Sequence, residues 1–296
     1  GRAAVLASGT PVTNTMAEIF TVMRYMDQAG LERDGLAAFD AWAAMFGEVV
    51  AGFEQNPSGN YEMVERFSKF VNVPEMMKRV RTFMDVLTSD QLGDIVVRPA
   101  LKGGLPENVI AEASDDLSAY MKGELAQRIE TSRKWKPSKD QPGNPDPIIN
   151  IITDGRLSAI DMRFVDRMAG NDPNSKLNKM IDNIIAKHKE FADVEYTDKE
   201  TGKPFPRKGA TQIVFSAVGF GDQVAANRGF DARAWIDKRL AEAGVPKDAV
   251  AWMSDQNSNA KKEATFKAMR NAEKRVLLGS PKNMGTGVNV QGRLKV

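Results

Sequence analysis

A glycine-rich loop near the end of the chain, GSPKNMGTGVN at residues 279–289, combines residue types that can contact a phosphate. It follows a short apolar run that predicts a buried strand. The two glycines of GTG let backbone amides approach an anion closely, and the side chains beside them offer hydrogen bonds and one positive charge. A glycine-rich turn that binds nothing is the alternative, because G-x-G alone is a weak motif. The candidate residues are Lys282, Gly285, Thr286, Gly287 and Asn289.

A second candidate turn lies at the start of the chain, where the apolar residues 3–7 lead directly into SGTPVTN. Small apolar residues followed by hydroxyl residues, Gly and Pro predict a buried strand that ends in a loop. Asn14 or Thr15 would cap a helix that begins near Met16. Ligands of α/β proteins bind at such strand ends, although an ordinary strand-to-helix turn has the same pattern. The candidate residues are Ser8, Gly9, Thr10 and Asn14.

Regularly alternating strands and helices position the loops of the second half of the chain. Strands are predicted at residues 211–217, 250–253 and 275–278. Helices are predicted at residues 175–191, 231–243 and 260–271. This alternation predicts an α/β fold with a parallel sheet covered on both faces. The loops that follow the three strands then lie together at the carboxyl edge of the sheet, where binding or chemistry is expected.

The first half of the chain has a different pattern. Residues 16–90 are predicted to be helical, in pieces separated at Gly30, Gly35, Gly52 and a turn at 56–60, with Val49 and Val50 on an apolar helix face. A short strand is predicted at 95–97 and a turn at Gly103 and Gly104. A polar helix over 114–134 then leads into the Pro- and charge-rich segment 134–147, which is predicted to be a connector.

The composition excludes several classes of chemistry. The 41 Lys and Arg against 39 Asp and Glu give a net charge of +2, so any basic surface must be local. The absence of cysteine removes disulfides, thiolate nucleophiles and cysteine-bound zinc. His188, the single histidine, lies between lysines in a helical pattern and is predicted to be a solvated surface residue rather than a metal ligand or catalytic base. Without an apolar run of about 20 residues or a signal segment, we expect a soluble, cytoplasmic protein.

Five blocks, in this order along the chain, carry a resemblance to a known family. They are SGTPVTN, VVRPALKGGLPENV, SKL, TQIVFSAVG and VLLGSPKNMGTGVNVQGRL. Together they resemble a superfamily-two helicase of the Swi/Snf-like branch. More narrowly, they are similar to the large phage and plasmid antirestriction proteins in which such a helicase accompanies an adenine-specific DNA methyltransferase. The match spans nearly the whole chain, and its SGTP and GTGVN blocks are the most specific.

The resemblance implies an α/β, RecA-like architecture. Residues 1–110 would be the end of the first RecA-like lobe with a helical protrusion, residues 111–147 a helix and connector, and residues 148–296 an incomplete second lobe. Because the chain opens inside a predicted strand and stops abruptly after GRLKV, we expect an internal fragment of a longer protein.

The resemblance also implies roles for the candidate residues. Ser8, Gly9 and Thr10 would line the cleft between the lobes and couple nucleotide state to DNA grip, and Asn14 would close their loop. Ser216 would face the DNA backbone at the end of a second-lobe strand. The DNA phosphate and the nucleotide would be contacted by the loop that contains Lys282, Gly285, Thr286, Gly287 and Asn289.

Three motifs of the family are not found in this sequence: the phosphate loop, the acidic magnesium motif and the final arginine motif, for which Arg293 lies too early. The chain alone is therefore expected to hydrolyse no ATP and to bind no cofactor, whereas the intact protein would use ATP and magnesium. Its expected partners are double-stranded DNA and a fused or associated adenine-specific methyltransferase, with no membrane. The host would be a bacterial cell, and the gene a host or phage gene.

Two other functional classes are considered. The chain could be a non-catalytic DNA-binding or scaffolding module, which intact flanking motifs would argue against. A nucleotide-binding oxidoreductase is a poor fit, because neither G-x-G loop opens the first strand-helix unit in the form G-x-G-x-x-G. The sequence assigns no role to the region 16–90 or to the polar insertion 197–208.

Overall fold

The computed structural model describes residues 5–12, 15, 17–55, 61–87, 91, 102–139, 141, 143–197, 202–217, 219–220, 222–284, 288 and 290–295. The chain divides into two compact units, residues 1–98 and residues 99–296. The lobe boundaries at 110 and 147 stay predictions. In the described ranges, no helix has the length and apolar character needed to cross a membrane.

The first unit contains, in its described part, four helices and a pair of strands. The helices are α1 (Glu18–Met26), α2 (Gln28–Arg33), α3 (Phe39–Phe46) and α4 (Val73–Val80). The strands β1 (Gly47–Gln55) and β2 (Tyr61–Phe70) pair in antiparallel fashion. The predicted turn at 56–60 lies outside the described residues.

The helical prediction for the region 16–90 is wrong at these two strands. Phe53 lies opposite Met63 and Val49 opposite Phe67, so apolar side chains share one face of the pair. The other face carries an ion pair between Arg66 and Glu54. Cross-strand pairs of this kind stabilise an antiparallel ladder, and the period of two that produces them runs through FEQ and YEMVERF. The helical interpretation followed the spacing of Phe46, Val49 and Val50 instead.

The start of the chain also differs from its prediction. Residues 5–8 are not a strand, and Val5 and Leu6 are 93% and 73% exposed. No strand in the described part of the chain pairs with them, so their backbone groups have no ladder to join. Helix α1 begins at Glu18, about two residues later than expected. Its N-cap residue, Ala17, gives no side-chain cap, and Thr15 contributes only its carbonyl oxygen, 3.1 Å from the Glu18 nitrogen. Asn14 lies outside the described residues.

The second unit opens as the sequence predicts. Gly103 and Gly104 form a turn with φ of 72° and 77°, a left-handed backbone that favours glycine. A continuous helical segment then begins after Ser114, whose Oγ accepts a hydrogen bond from the Leu117 N–H. It consists of α5 (Asp115–Tyr120), a π-helical stretch (Met121–Leu125) and α6 (Ala126–Lys134). The predicted strand at 95–97 lies outside the described residues.

A parallel three-stranded sheet forms the centre of this unit. Its strands are β3 (Gln212–Phe215), β4 (Val250–Trp252) and β5 (Val276–Gly279), in the order β3-β5-β4. Both outer strands run parallel to β5. The helices around the sheet are α7 (Ile148–Ser158), α8 (Lys176–Glu190), α9 (Asp222–Arg228), α10 (Ala232–Glu242), α11 (Asn259–Arg270) and the short α12 (Pro281–Met284). The predicted α/β class with a parallel sheet is confirmed, and it is consistent with a RecA-like lobe.

Both faces of the sheet are covered, as predicted. On one face Val276 and Leu278 pack with Ile181 of α8 and Ile236 of α10. On the other face Leu277 packs with residues of α11, including Phe266 and Met269. Because β5 is buried on both sides, its sequence VLLG is apolar without alternation.

Helices α8, α10 and α11 of the second unit begin at residues whose side chains cap them. The side chains of Ser175, Asp231 and Ser258 each accept a hydrogen bond from the backbone N–H three residues later. Such caps satisfy amides that have no partner inside the helix. Gly244 ends α10 with a φ of 84°. These local signals explain why the helix boundaries agree with the prediction to within about two residues.

His188 is not the solvated residue that its neighbouring lysines predict. It is 8% exposed, and its Nε2 lies 3.4 Å from Nη1 of Arg275. Burial, together with the positive charge of Arg275, lowers the pKa of His188 to about 4. The imidazole is therefore neutral at physiological pH. Arg275 precedes β5, so this contact depends on the tertiary fold and not on the helix that carries the histidine.

This histidine predicts a specific pH dependence of stability. Between pH 6.5 and about 4 the unfolded chain binds a proton at His188 that the folded chain does not, so the free energy of unfolding falls as the pH falls. Between pH 7.5 and pH 5, we expect the free energy of unfolding of His188→Gln to fall by roughly 1–2 kcal/mol less than that of the wild type. Urea unfolding at the two pH values measures the difference. Identical pH profiles for the two proteins would contradict the assignment.

Candidate functional site

Two of the predicted loops meet at the carboxyl edge of the sheet. The Ser216 N–H donates a hydrogen bond to the Gly279 carbonyl oxygen at 3.0 Å, which joins the end of β3 to the end of β5. Ser216 is partly exposed at this edge. The parallel order of the strands thus brings Ser216 next to the start of the glycine-rich loop, as the alternation of strands and helices predicts.

Gly279 allows a close approach of three segments at this edge. A Cβ atom on Gly279 would lie 2.9 Å from the Met253 Cβ and 2.9 Å from the Met284 sulfur. Met253 follows β4, and Met284 ends α12. A glycine is therefore required for the chain after β5 to turn tightly over the end of β4.

The glycine-rich loop is held at both of its ends by the core. Met284 and Val290 are 3% and 1% exposed and belong to the cluster that covers the α11 face of the sheet. Lys282 is exposed on α12, where its ammonium group can reach a ligand. The other candidate residues of the loop, Gly285, Thr286, Gly287 and Asn289, lie outside the described residues, and their roles stay predictions.

The SGTP turn belongs to the first unit. The Thr10 N–H donates a hydrogen bond to the Ser8 Oγ at 3.1 Å, which is a serine turn, and Ser8, Gly9 and Thr10 are exposed. Their hydroxyl groups are thus accessible to a ligand. Among the described candidate residues, Ser216 and Lys282 are those that lie at the carboxyl edge of the sheet.

The loop after β4 carries an ion pair that the sequence did not predict. Arg233 of α10 donates two hydrogen bonds to Asp255, at 2.7 and 2.5 Å, and its guanidinium lies 5.0 Å from the centre of the Trp252 ring. These hydrogen bonds lower the pKa of Asp255. The carboxylate at this position is therefore ionised and bound to arginine.

A second unpredicted group lies beside the carboxyl edge, around Asp161. Arg163 donates to both oxygens of Asp161 at 2.8 and 2.9 Å, and the Ser175 hydroxyl donates to the same carboxylate at 2.8 Å. The Arg163 guanidinium is stacked between Phe230 and Trp235, 4.2 and 4.4 Å from their ring centres. Ser175 opens the SKL block, so this block begins with a helix cap that is tied to a buried carboxylate.

The Asp161 group supports the loop after β3. Phe164, next to Arg163, lies 3.1 Å from where a Cβ of Gly219 would be, and it packs edge-on against Phe230. Gly219 has a φ of 94° and lies three residues after Ser216. The signal that could have revealed this support is the Asp-x-Arg spacing at 161–163 followed by a capping serine.

The carboxyl edge carries the Ser216 hydroxyl and the Lys282 ammonium group. Among the residues described, no three His, Asp or Glu side chains form a group that could hold a metal ion. The carboxylates nearest to the edge are already bound to Arg163 and Arg233. A hydroxyl group and an ammonium group are groups of the kind that contact phosphates in proteins.

Comparison with known proteins gives one match. Residues 2–88 match a family model described as a probable helicase domain. No curated protein and no protein of solved structure matches the chain. The matched range contains the SGTP turn and almost all of the described part of the first unit. The chain therefore has a helicase-like region at residues 2–88.

Proposed function

We propose that this chain is a segment of an ATP-dependent DNA helicase or translocase of superfamily two, from the Swi/Snf-like branch. The intact protein would be a phage or plasmid antirestriction or DNA-modification protein that acts with an adenine-specific DNA methyltransferase. The observation that carries the proposal is the match of residues 2–88 to a probable helicase domain. The finer assignment to the branch and to antirestriction rests on the resemblance of the five sequence blocks.

The second unit supports the proposal through its architecture. A parallel sheet presents Ser216 and Lys282 at its carboxyl edge, beside a loop anchored by Met284 and Val290. Open α/β sheets bind nucleotides and phosphates at this edge. A hydroxyl group and an ammonium group there suit a DNA phosphate or a nucleotide phosphate.

ATP and magnesium would act in the intact protein. The described residues at the carboxyl edge fit a phosphate group but not a magnesium ion. A phosphate fits the edge through Lys282 and Ser216. Magnesium prefers carboxylate oxygens and water, and the carboxylate that follows β4, Asp255, is bound to Arg233. We therefore assign no magnesium ligand to this edge. When bound, ATP would supply the energy for closing one lobe onto the other, and this chain would contribute phosphate contacts.

The charge distribution favours DNA contact by the second unit. Residues 99–296 carry 32 Lys and Arg against 26 Asp and Glu, whereas residues 1–98 carry nine against 13. Contacts to phosphate release counterions, so we expect DNA affinity to fall steeply with salt and to depend little on sequence.

The test is DNA-stimulated ATP hydrolysis by the natural gene product. We expect Lys282→Ala and Thr286→Ala each to lower this stimulated turnover by roughly tenfold, because each removes a charge-assisted or hydroxyl hydrogen bond to phosphate. Lys247→Ala is the matched control, since Lys247 is an exposed lysine that precedes β4 at the opposite edge of the sheet.

Two results would contradict the proposal. Unchanged turnover in both variants would remove the glycine-rich loop from the mechanism. No hydrolysis by a folded wild-type protein that still binds duplex DNA would favour the non-catalytic DNA-binding module instead.

A further inference from the structure

Arg293 is the largest charged side chain in the buried interior of the second unit, as far as the structure describes it. It is 2% exposed, and its guanidinium lies 4.3 Å from the centre of the Phe205 ring and 5.1 Å from that of Tyr196. Its Nη1 donates to the Arg207 carbonyl oxygen at 2.8 Å, whereas its Nε and Nη2 have no partner. Burial of a guanidinium without a carboxylate is costly, so these rings and the carbonyl must hold it in place.

One of the two aromatic rings, Phe205, belongs to the polar insertion at 197–208 to which the sequence assigns no role, and the other, Tyr196, directly precedes it. Residues 194–197 and 204–209 run antiparallel to each other: the Phe205 N–H donates to the Tyr196 carbonyl at 2.9 Å, and the Gly209 N–H donates to the Val194 carbonyl at 2.8 Å. The insertion is therefore an ordered hairpin where it meets Arg293. Arg293, which this hairpin contacts, lies 97 residues after Tyr196 and 86 residues after Arg207 in the chain.

The backbone of Arg293 connects this hairpin to the sheet. The Thr211 N–H donates to the Arg293 carbonyl at 2.9 Å, and the Lys295 N–H donates to the Thr211 carbonyl at 3.1 Å. Leu294 thus pairs in parallel with Thr211 next to β3. The Tyr196 hydroxyl donates to the same Arg293 carbonyl at 3.3 Å.

Arg293 also lies directly after the glycine-rich loop. Val290, three residues earlier, is buried in the α11 face of the core, and the 3-10 turn Gln291–Arg293 connects the two positions. The entrance of the loop is fixed by Met284, and its exit by Val290 and Arg293. A change at Arg293 would therefore loosen the exit of the loop as well as the hairpin.

We infer that Arg293 is a positioning residue for the glycine-rich loop, and that the paired segments 194–197 and 204–209 are the brace that holds Arg293. The brace would set the register in which the chain that leaves the loop pairs beside β3, through Leu294 and Thr211. The effect on activity rests on the proposed function, whereas the effect on the loop itself does not.

The first test is hydrogen exchange on the chain itself. We expect Arg293→Met to speed amide exchange at residues 285–290 by about tenfold, together with faster exchange at 194–209. Arg207→Ala is the control and should change neither segment, because only its backbone carbonyl contacts Arg293. Should Arg293→Met fail to fold, Phe205→Leu, which removes one stacked ring, must give the same pattern. Faster exchange at 194–209 with no change at 285–290 would overturn the inference.

The second test uses the natural gene product and Arg293→Lys, which keeps the charge but loses the planar stacking. We expect the DNA concentration for half-maximal ATPase stimulation to rise about tenfold, with kcat within about twofold of wild type. An active wild-type protein whose DNA response is unchanged by Arg293→Lys would also overturn the inference. A wild-type protein without DNA-stimulated hydrolysis would overturn the proposed function, and the exchange result would then decide on the brace alone.

Discussion

Replacing Asp161 with alanine is expected to lower the free energy of unfolding by about 3–5 kcal/mol, because it leaves the Arg163 guanidinium buried without its carboxylate. The Asp161 side chain is 1% exposed and that of Arg163 is 12% exposed, so water can replace little of the lost interaction. The same change removes the acceptor of the Ser175 hydroxyl and so weakens the start of α8. Urea unfolding followed by circular dichroism measures the loss.

The matched control is Asp255→Ala, which breaks an equally short bidentate pair with Arg233 whose side chains are 27% and 48% exposed. We expect this change to cost at most about 1 kcal/mol. The double variant Asp161→Ala with Arg163→Met should recover part of the loss, since no unpaired buried charge remains. Equal losses for the two aspartates would contradict the argument from burial.

In the first unit, we expect Trp42→Ala to lower the free energy of unfolding by a similar amount, about 3–5 kcal/mol. The Trp42 ring is fully buried, and its centre lies 5.4 Å from Phe20, 5.7 Å from Phe46 and 6.2 Å from Phe67. Phe67 belongs to β2, so the Trp42 ring contacts the strand pair as well as the helices. Loss of the ring leaves a large cavity between the two layers.

Urea unfolding and hydrogen exchange of residues 18–87 measure the effect of Trp42→Ala. Phe53→Ala is the control, because it removes an aromatic ring from the same strand pair at a position that is 72% exposed. We expect this control to change the free energy of unfolding by no more than about 0.5 kcal/mol. A comparable loss in both variants would show that the aromatic cluster is not what joins the two layers.

The second unit could be predicted closely because its local and global signals agree. Ser175, Asp231 and Ser258 each mark a helix start with a side chain that caps its own backbone. The alternation of helices with apolar strands then allows few arrangements other than a parallel sheet. The adjacency of Ser216 and Gly279 followed from that arrangement without knowledge of any side-chain contact.

One of the features that were missed depends on a partner far away in the chain, and two others on short apolar patterns that fit more than one structure. The spacing of lysines around His188 indicates a solvated helix face, and only the fold brings Arg275 against it. The strand pair at 47–70 was interpreted as helix because a run of apolar residues satisfies both periods over a short window. At residues 5–8 the pattern of a buried strand is present, but no described strand pairs with it.

The candidate site also has features that the sequence predicts and features that only the fold reveals. The position of the glycine-rich loop at the sheet edge could be predicted, because it depends on strand direction alone. The arginine-bound carboxylate Asp255 could not, because only the fold brings Arg233 of α10 against it. The functional roles of Ser8, Gly9, Thr10 and Asn14 stay predictions, as do those of Ser216, Lys282 and the loop that follows.

The strand order β3-β5-β4 has a consequence for the synthesis of the chain on the ribosome. In the described part of the sheet, β3 and β4 pair only with β5, which is the last of the three to be made. Until residues 276–279 leave the ribosome, the two earlier strands have no neighbour and expose their edges. The strand pair of the first unit, by contrast, joins neighbouring segments and can form at once. A growing chain therefore passes through a stage in which its first unit is complete while the sheet of its second unit is open to aggregation and to chaperones.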